Sequence, residues 1–297
     1  MKKTRIFAVL AAMAMGLAVF GCSNGDSDSS ESGSTTGGST SGGGTESGST
    51  GGTTSGSIEP VAENFIKIPA ASIASFCMSD HEVTRGEYKA VMGIDPSEAK
   101  AYDKDGNELT GDDNVKNNPV NNVSWYDALV YCNTRSIKEG LAPCYAIDGK
   151  TDPKNWGSVP PAWGVDDTEY EKWDAATCDF TADGYRLPTD AEWKWAARGG
   201  EDYFYAGSDD IDEVAWYDTN GTRDVKSKNA NGYGLYDMSG NVEEWCWDWY
   251  DVDMGRCMRG GSWHDYNSNS ARVAHQSYSI PQFRFSDYGF RLVRNAN

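Results

Sequence analysis

The chain is poor in the side chains that hold transition metals. It has three histidines, His81, His264 and His275, in 297 residues, no Cys-x-x-Cys pair, and no cysteine after Cys257. A zinc site of the usual clustered kind is therefore unsupported. Nor is there an apolar run of the roughly 20 residues that a membrane-spanning helix needs; the longest, Ile6 to Phe20, is too short. No basic patch offsets a formal net charge of −19, which argues against nucleic acid as a partner. Such acidity suits a soluble, monomeric protein. A last absence is local: residues 264–288 contain no Lys, Glu, Met or Trp, although Lys and Glu are among the commonest residues in proteins.

What is present begins with an export signal. Lys2, Lys3 and Arg5 form a basic start, Ile6 to Phe20 an apolar stretch, and Gly21-Cys22 its end. Cys22 resembles the lipid-modified cysteine of bacterial lipoproteins, with the bulky Phe20 implying a relaxed form of that signal. An ordinary cleaved signal with an incidental cysteine is the alternative. From Ser23 to Ser57 the chain is Ser, Gly and Thr with scattered acids and no apolar residue to seed a core. A coil of that length has a root-mean-square span of roughly 30–35 Å. The expected layout is a signal peptide at 1–21, a lipidated cysteine and tether at 22–57, and one domain at 58–297. The expected address is the outer membrane and cell surface, with Cys22 holding the chain to the membrane.

The domain's local signals mix helix and short strand. Ser124 and Asp127 predict a capped helix start ahead of Ala128, Leu129 and Cys132. Thr189 to Glu192 reads as a capping box, Trp193, Ala196 and Ala197 as one apolar face, and Gly199-Gly200 as a stop. An irregular α+β domain is expected. Asp103 to Glu108 reads as a polar hairpin turn, because it lacks the third acidic position of a calcium loop. Six cysteines remain after Cys22. Free buried thiols and a Cys144–Cys178 bridge are both open.

Six ordered motifs carry a resemblance. HEVTRGEYKAVMG (81–93), NPVNNVSWYDALVYCN (118–133), GYRLPTDAEWKWAARGG (184–200), NGYGLYDMSGNVEEWCWDWY (231–250), RGGSW (259–263) and GFRLV (289–293) resemble the formylglycine-generating-enzyme family. The resemblance implies its C-type-lectin-like fold of the sulfatase-modifying-factor type. That family holds copper oxidases, iron-dependent sulfoxide synthases and noncatalytic binders, so fold alone does not decide function. Counted from Trp263, the two copper-thiolate positions fall on Asp265 and Ser270, and soft Cu(I) needs sulfur there. The sulfoxide synthases' HxxxHxE motif has no counterpart among the three histidines. No catalytic cofactor is expected; a metal-dependent oxidase, or a degenerate relative of one, is the alternative. The resemblance also implies a structural calcium held by Asp237, Gly240, Val242 and Glu244, whose oxygen donors suit that ion; capping of the turn by the two carboxylates is the other reading.

Within the family, the export signal and the RGGSW…GFRLV tail resemble the treponemal variable lipoproteins that retroelements diversify. There an error-prone copying step changes template adenines, often in AAC codons. Changing those two adenines never yields Lys, Glu, Gln, Met or Trp. The window lacks four of these. Gln276 and Gln282 are thus assigned to a fixed frame with Ala271, Arg272, Val273, Ala274, Pro281 and Arg284. The remaining candidates are His264, Asp265, Tyr266, Ser268, Asn269, Ser270, His275, Ser277, Tyr278, Ser279, Ile280, Phe283, Phe285, Ser286, Asp287 and Tyr288. Aromatics on a Ser- and Asn-rich background have the composition of a paratope. They are expected to form one solvent-facing patch for an unidentified protein or other macromolecular ligand, anchored by Tyr266, Tyr278, Phe283, Phe285 and Tyr288.

Overall fold

The computed structural model describes residues 60–62, 64–71 and 73–296. The signal peptide, Cys22 and the tether lie outside the described residues. The chain divides into two units between Thr54 and Ser55, and everything below concerns the second. Among the described residues, no helix is long and apolar enough to cross a membrane.

In chain order the strands are β1 (Pro60–Ala62), β2 (Phe65–Ile68), β3 (Phe76–Ser79), β4 (Ala101–Tyr102), β5 (Glu108–Leu109), β6 (Tyr145–Ala146), β7 (Thr177–Cys178), β8 (Thr222–Arg223), β9 (Glu243–Asp251), β10 (Gly255–Arg259), β11 (Ser277–Ser279), β12 (Tyr288–Gly289) and β13 (Val293–Asn295). The helices are α1 (Arg85–Met92), α2 (Asp112–Val115), α3 (Trp125–Lys138), α4 (Asp167–Asp174), α5 (Asp190–Arg198) and α6 (Ile211–Val214). This is the irregular α+β arrangement expected.

The helix ends follow from local chemistry. Ser124 and Asp127 cap α3 reciprocally, as Thr189 and Glu192 cap α5. Gly199 closes α5 in the left-handed conformation at φ +61°. Helix α5 buries Trp193, Ala196 and Ala197, and α3 buries Trp125, Leu129 and Cys132. A tryptophan core including Trp125, Trp156, Trp173 and Trp245 gives a domain with few long elements enough apolar area to fold.

Two four-stranded sheets position the tail, with orders β1-β2-β3-β13 and β11-β10-β9-β12. Strands β9 and β10 form a hairpin, and β12 lies parallel to β9 with Tyr288 opposite Glu243. Strand β13 pairs antiparallel with β3, Val293 opposite Met78. The tail thus leaves one sheet at β10 and is clamped again at β12 and β13. Asp103 accepts from the amides of Asp105 and Asn107 at 2.9 and 2.8 Å, making the β4–β5 link a hairpin turn.

All six described cysteines are free, so the Cys144–Cys178 bridge is not formed. The β6–β7 register sets Cys178 opposite Tyr145 rather than Cys144, and a bridge needs facing Cβ vectors.

Candidate functional site

The frame is locked from below. Arg259 donates from Nε to Asp190 and from Nη1 to the His275 carbonyl, both at 2.6 Å. Gly261 sits at φ +67°, and a Cβ there would lie 2.8 Å from the Ser270 carbonyl carbon. The chain therefore passes directly under the window, a route open to glycine alone. Trp263 donates its indole N–H to the Ser286 carbonyl at 3.2 Å, tying the first turn of the tail to the last.

The residues assigned to the frame are mostly engaged by the body of the domain. Ala271, Val273, Pro281 and Gln282 are buried. Gln276 donates to Asp190 at 3.0 Å, and Arg284 grips Asp127 at 2.6 and 3.0 Å. Arg272 stacks over Phe204 at 4.8 Å. Ala274 is the exception, being exposed.

The window residues face outward to different degrees. His264, Tyr266, Asn269, Tyr278 and Phe285 are exposed, Tyr266 at 88 %. Asp265, Ser268, Ser270, His275, Ser277, Ile280, Phe283, Ser286, Asp287 and Tyr288 are half-buried. Ser279 is a correction: it is 7 % exposed. On β11, Tyr278 points out and its neighbour must point in, where Ser279 packs across from Arg256. Tyr288 is corrected too as a free anchor. Its ring is wedged between Trp245 at 5.4 Å and Phe285 at 5.0 Å.

Glu243 ties the two ends of the segment 277–287 together. Its carboxylate accepts from the Ser277 hydroxyl, and its amide donates to the Asp287 carbonyl at 2.7 Å. Burial pushes the Glu243 carboxyl up to about 8, and Asp265 and Asp287 add repulsion. Burial also raises Asp287. Among the described residues, none of these three carboxylates makes an ion pair with Lys or Arg.

Two neighbouring aromatics escaped sequence reasoning. Tyr250 stacks on Tyr278 at 4.8 Å, and Trp163 packs against Phe283 at 4.9 Å. Neither lies in the window. The only signal for Trp163 is its turn-rich setting, Pro160 to Gly164, which gives no spatial neighbour.

The positions aligned with copper thiolates have structural roles. Asp265 accepts from the Ser262 amide at 2.7 Å, and Ser270 presents its backbone to Gly261. A cleft of about 560 Å³ lies along α5, lined by Ile73, Ala191, Lys194, Trp195 and Arg198 among others. It shares no residue with the window.

The calcium expectation meets a different arrangement. Glu244 is fully buried and receives Arg291 Nε at 2.9 and 2.8 Å, Arg291 Nη2 at 2.7 Å, and the Trp193 indole N–H at 2.7 Å. Asp237 accepts from the Lys226 amide at 2.7 Å. The Val242 amide donates to Glu82 at 3.0 Å, and the Gly240 amide to Gly260. The Arg291 guanidinium thus supplies the countercharge that a cation would bring, and Glu244 has no free lone pair directed at one. Among the described residues, no group of three His, Cys, Asp or Glu side chains is placed to hold a metal. As arranged here, Glu244 is taken up by Arg291 and Trp193 and does not fit a calcium ion.

Comparison with known proteins agrees with this architecture. The model of the sulfatase-modifying factor enzyme 1-like domain matches residues 34–296. The chain is 35 % identical over 253 residues to the chaperone protein LppX of Paenibacillus barcinonensis, covering 75 % of this chain and 81 % of that one. It is 34 % identical to the formylglycine-generating enzyme of Streptomyces coelicolor, over 42 % of this chain and 51 % of the enzyme. Among solved structures, Treponema denticola variable protein 1 superposes with a TM-score of 0.64 at 32 % identity, covering 77 % of this chain and 91 % of that one. The chain belongs to the sulfatase-modifying factor enzyme 1-like domain family.

Proposed function

We propose that this protein is a noncatalytic, exported lipoprotein, anchored through Cys22, whose window within residues 264–288 is exchanged by a retroelement to bind varied macromolecules. One observation carries the reading. The two window side chains outside the reach of adenine exchange are held by the domain, Gln276 on Asp190 and Gln282 by burial, while Tyr266, Tyr278 and Phe285 are exposed. Phe285 is continuous with Phe283 and Tyr288, exposed contiguous aromatics mark interaction sites, and a rigid base under exchangeable side chains lets specificity change without loss of fold. Similarity to the Treponema variable protein over most of its length supports the same reading.

The test is a variant combining Tyr266→Ser, Tyr278→Ser and Phe285→Ser. Peptides selected from a random displayed library against the full chain should lose binding to it. Surface changes are usually each within about 0.5 kcal/mol, so the melting temperature should fall by no more than a few degrees. Unfolding of the variant would make these side chains core and sink the proposal. Window-independent capture of unfolded protein would favour the chaperone role named for the Paenibacillus relative. For the anchor, mass spectrometry should find residues 1–21 removed and acyl chains on Cys22; an unmodified Cys22 would overturn that part.

A further inference from the structure

We propose that Trp163 is a fixed member of the contact surface, and that in this copy of the window the surface fits a protein segment bearing Lys or Arg. The inference rests on the binding reading above and extends it in extent and chemistry. Trp163 is 68 % exposed, a large aromatic left to solvent. Its loop is nonetheless held. Tyr170 donates its hydroxyl to the Pro161 carbonyl at 3.0 Å, and Arg284, already fixed on Asp127, reaches the Pro160 carbonyl at 3.4 Å. An exposed ring on a tethered loop loses little entropy on contact, which is how aromatic anchors contribute affinity.

The ring is not isolated. From Trp163 a row runs to Phe283, then Phe285, then Tyr288, in centroid steps of 4.9, 5.8 and 5.0 Å. The first ring belongs to the domain body and the other three to the window. Tryptophan dominates contact energetics more than most residues, and it is one of the side chains that adenine exchange in an Asn codon never produces. The loop therefore supplies what the window cannot encode.

The far end of the row sets the partner's charge. Asp287 adjoins Tyr288, and the Ser262 hydroxyl reaches the carboxylates of both Asp265 and Asp287, at 3.1 and 3.4 Å. Elsewhere the domain matches such carboxylates with arginine, as in Asp127–Arg284, Asp190–Arg259, Glu192–Arg186 and Glu244–Arg291. Among the described residues, Asp265 and Asp287 have no Lys or Arg ion-pair partner, and His264 is the basic side chain beside Asp287. Ring faces and carboxylates both attract ammonium and guanidinium groups, so the two halves of the surface select the same partner.

The experiment pans random displayed peptides against the full chain and measures the selected peptides on three variants: Trp163→Ala, Trp163→Phe and the triple window variant. The peptides should be enriched in Lys and Arg and should weaken as salt rises. Trp163→Ala should raise Kd at least tenfold with melting temperature unchanged, and Trp163→Phe by threefold or less. Loss of binding in the window variant with Trp163→Ala unaffected would remove Trp163 from the surface and leave the binding reading intact. Neutral or acidic selected peptides would overturn the charge assignment. Peptides indifferent to every variant, or no enrichment above an unrelated acidic protein, would count against the window as a binding surface altogether.

Discussion

Arg291→Met tests the charge arrangement at the centre of the domain. Arg291 and Glu244 are both 0 % exposed, and the guanidinium also reaches the Tyr236 carbonyl at 2.8 Å. Glu82 and Asp237 lie near enough to be felt by the same guanidinium. Removing it leaves Glu244 with the Trp193 indole and two repelling carboxylates. Breaking a buried pair on one side costs about 3–5 kcal/mol. For a domain of this size each kcal/mol is worth roughly 2–4 °C, so the melting temperature at pH 7.5 should fall by about 6–20 °C. Circular dichroism during heating reads this directly. The sign of the pH dependence follows from the burial. In the variant a carboxylate takes up a proton more readily folded than unfolded, so the deficit should shrink as pH falls toward 5. The double variant Arg291→Met/Glu244→Gln should recover part of the loss, since it removes the orphaned charge. A single variant within about 1 kcal/mol of the native protein, or a double variant no better than the single, would refute the reasoning.

Asp237 provides a second test. Burial pushes its carboxyl up to about 6, so the charged form is penalised above that pH and the penalty disappears once the group is protonated in both states. Asp237→Asn, at a φ of +55° that asparagine tolerates well, should stabilise by about 1–3 kcal/mol at pH 8 and not at all near pH 3. A calcium-dependent rise in melting temperature, lost in the variant, would instead make Asp237 a cation ligand. Gly261→Ala should cost about 2–3 kcal/mol, from the left-handed backbone and the contact with Ser270. An unchanged urea midpoint would show that the frame yields at that point.

How legible the molecule is depends on sequence distance. The capping partners of α3 and α5 lie three residues apart, Ser124 and Asp127, Thr189 and Glu192, and local chemistry decides them. Within the frame, Gln276 and Gln282 were readable as side chains that an exchanged Asn codon cannot yield. The burial of Ser279 was not, because it follows from pairing with Arg256, a partner assigned only when β10 and β11 meet. Glu244 and Arg291 lie 47 residues apart, and Glu82 is 160 from the Val242 amide it accepts. A carboxylate read alone is as good a calcium ligand as an ion-pair partner; only the folded neighbourhood separates the two. Trp163 was missed for the same reason, since no spacing in the chain brings it to Phe283.

The pairing of β13 with β3 has a consequence for how incomplete copies behave. Strands β12 and β13 are translated after most or all of the window, yet they cover edges of β9 and β3. A polypeptide stopped inside 264–288 would leave both edges bare, and bare edges recruit other chains. A nonsense codon within 264–288 would then produce an aggregation-prone remnant for proteases, not a shortened domain. A folded domain would be reserved for reading frames that run through the segment intact, with the fold acting as its own proofreader.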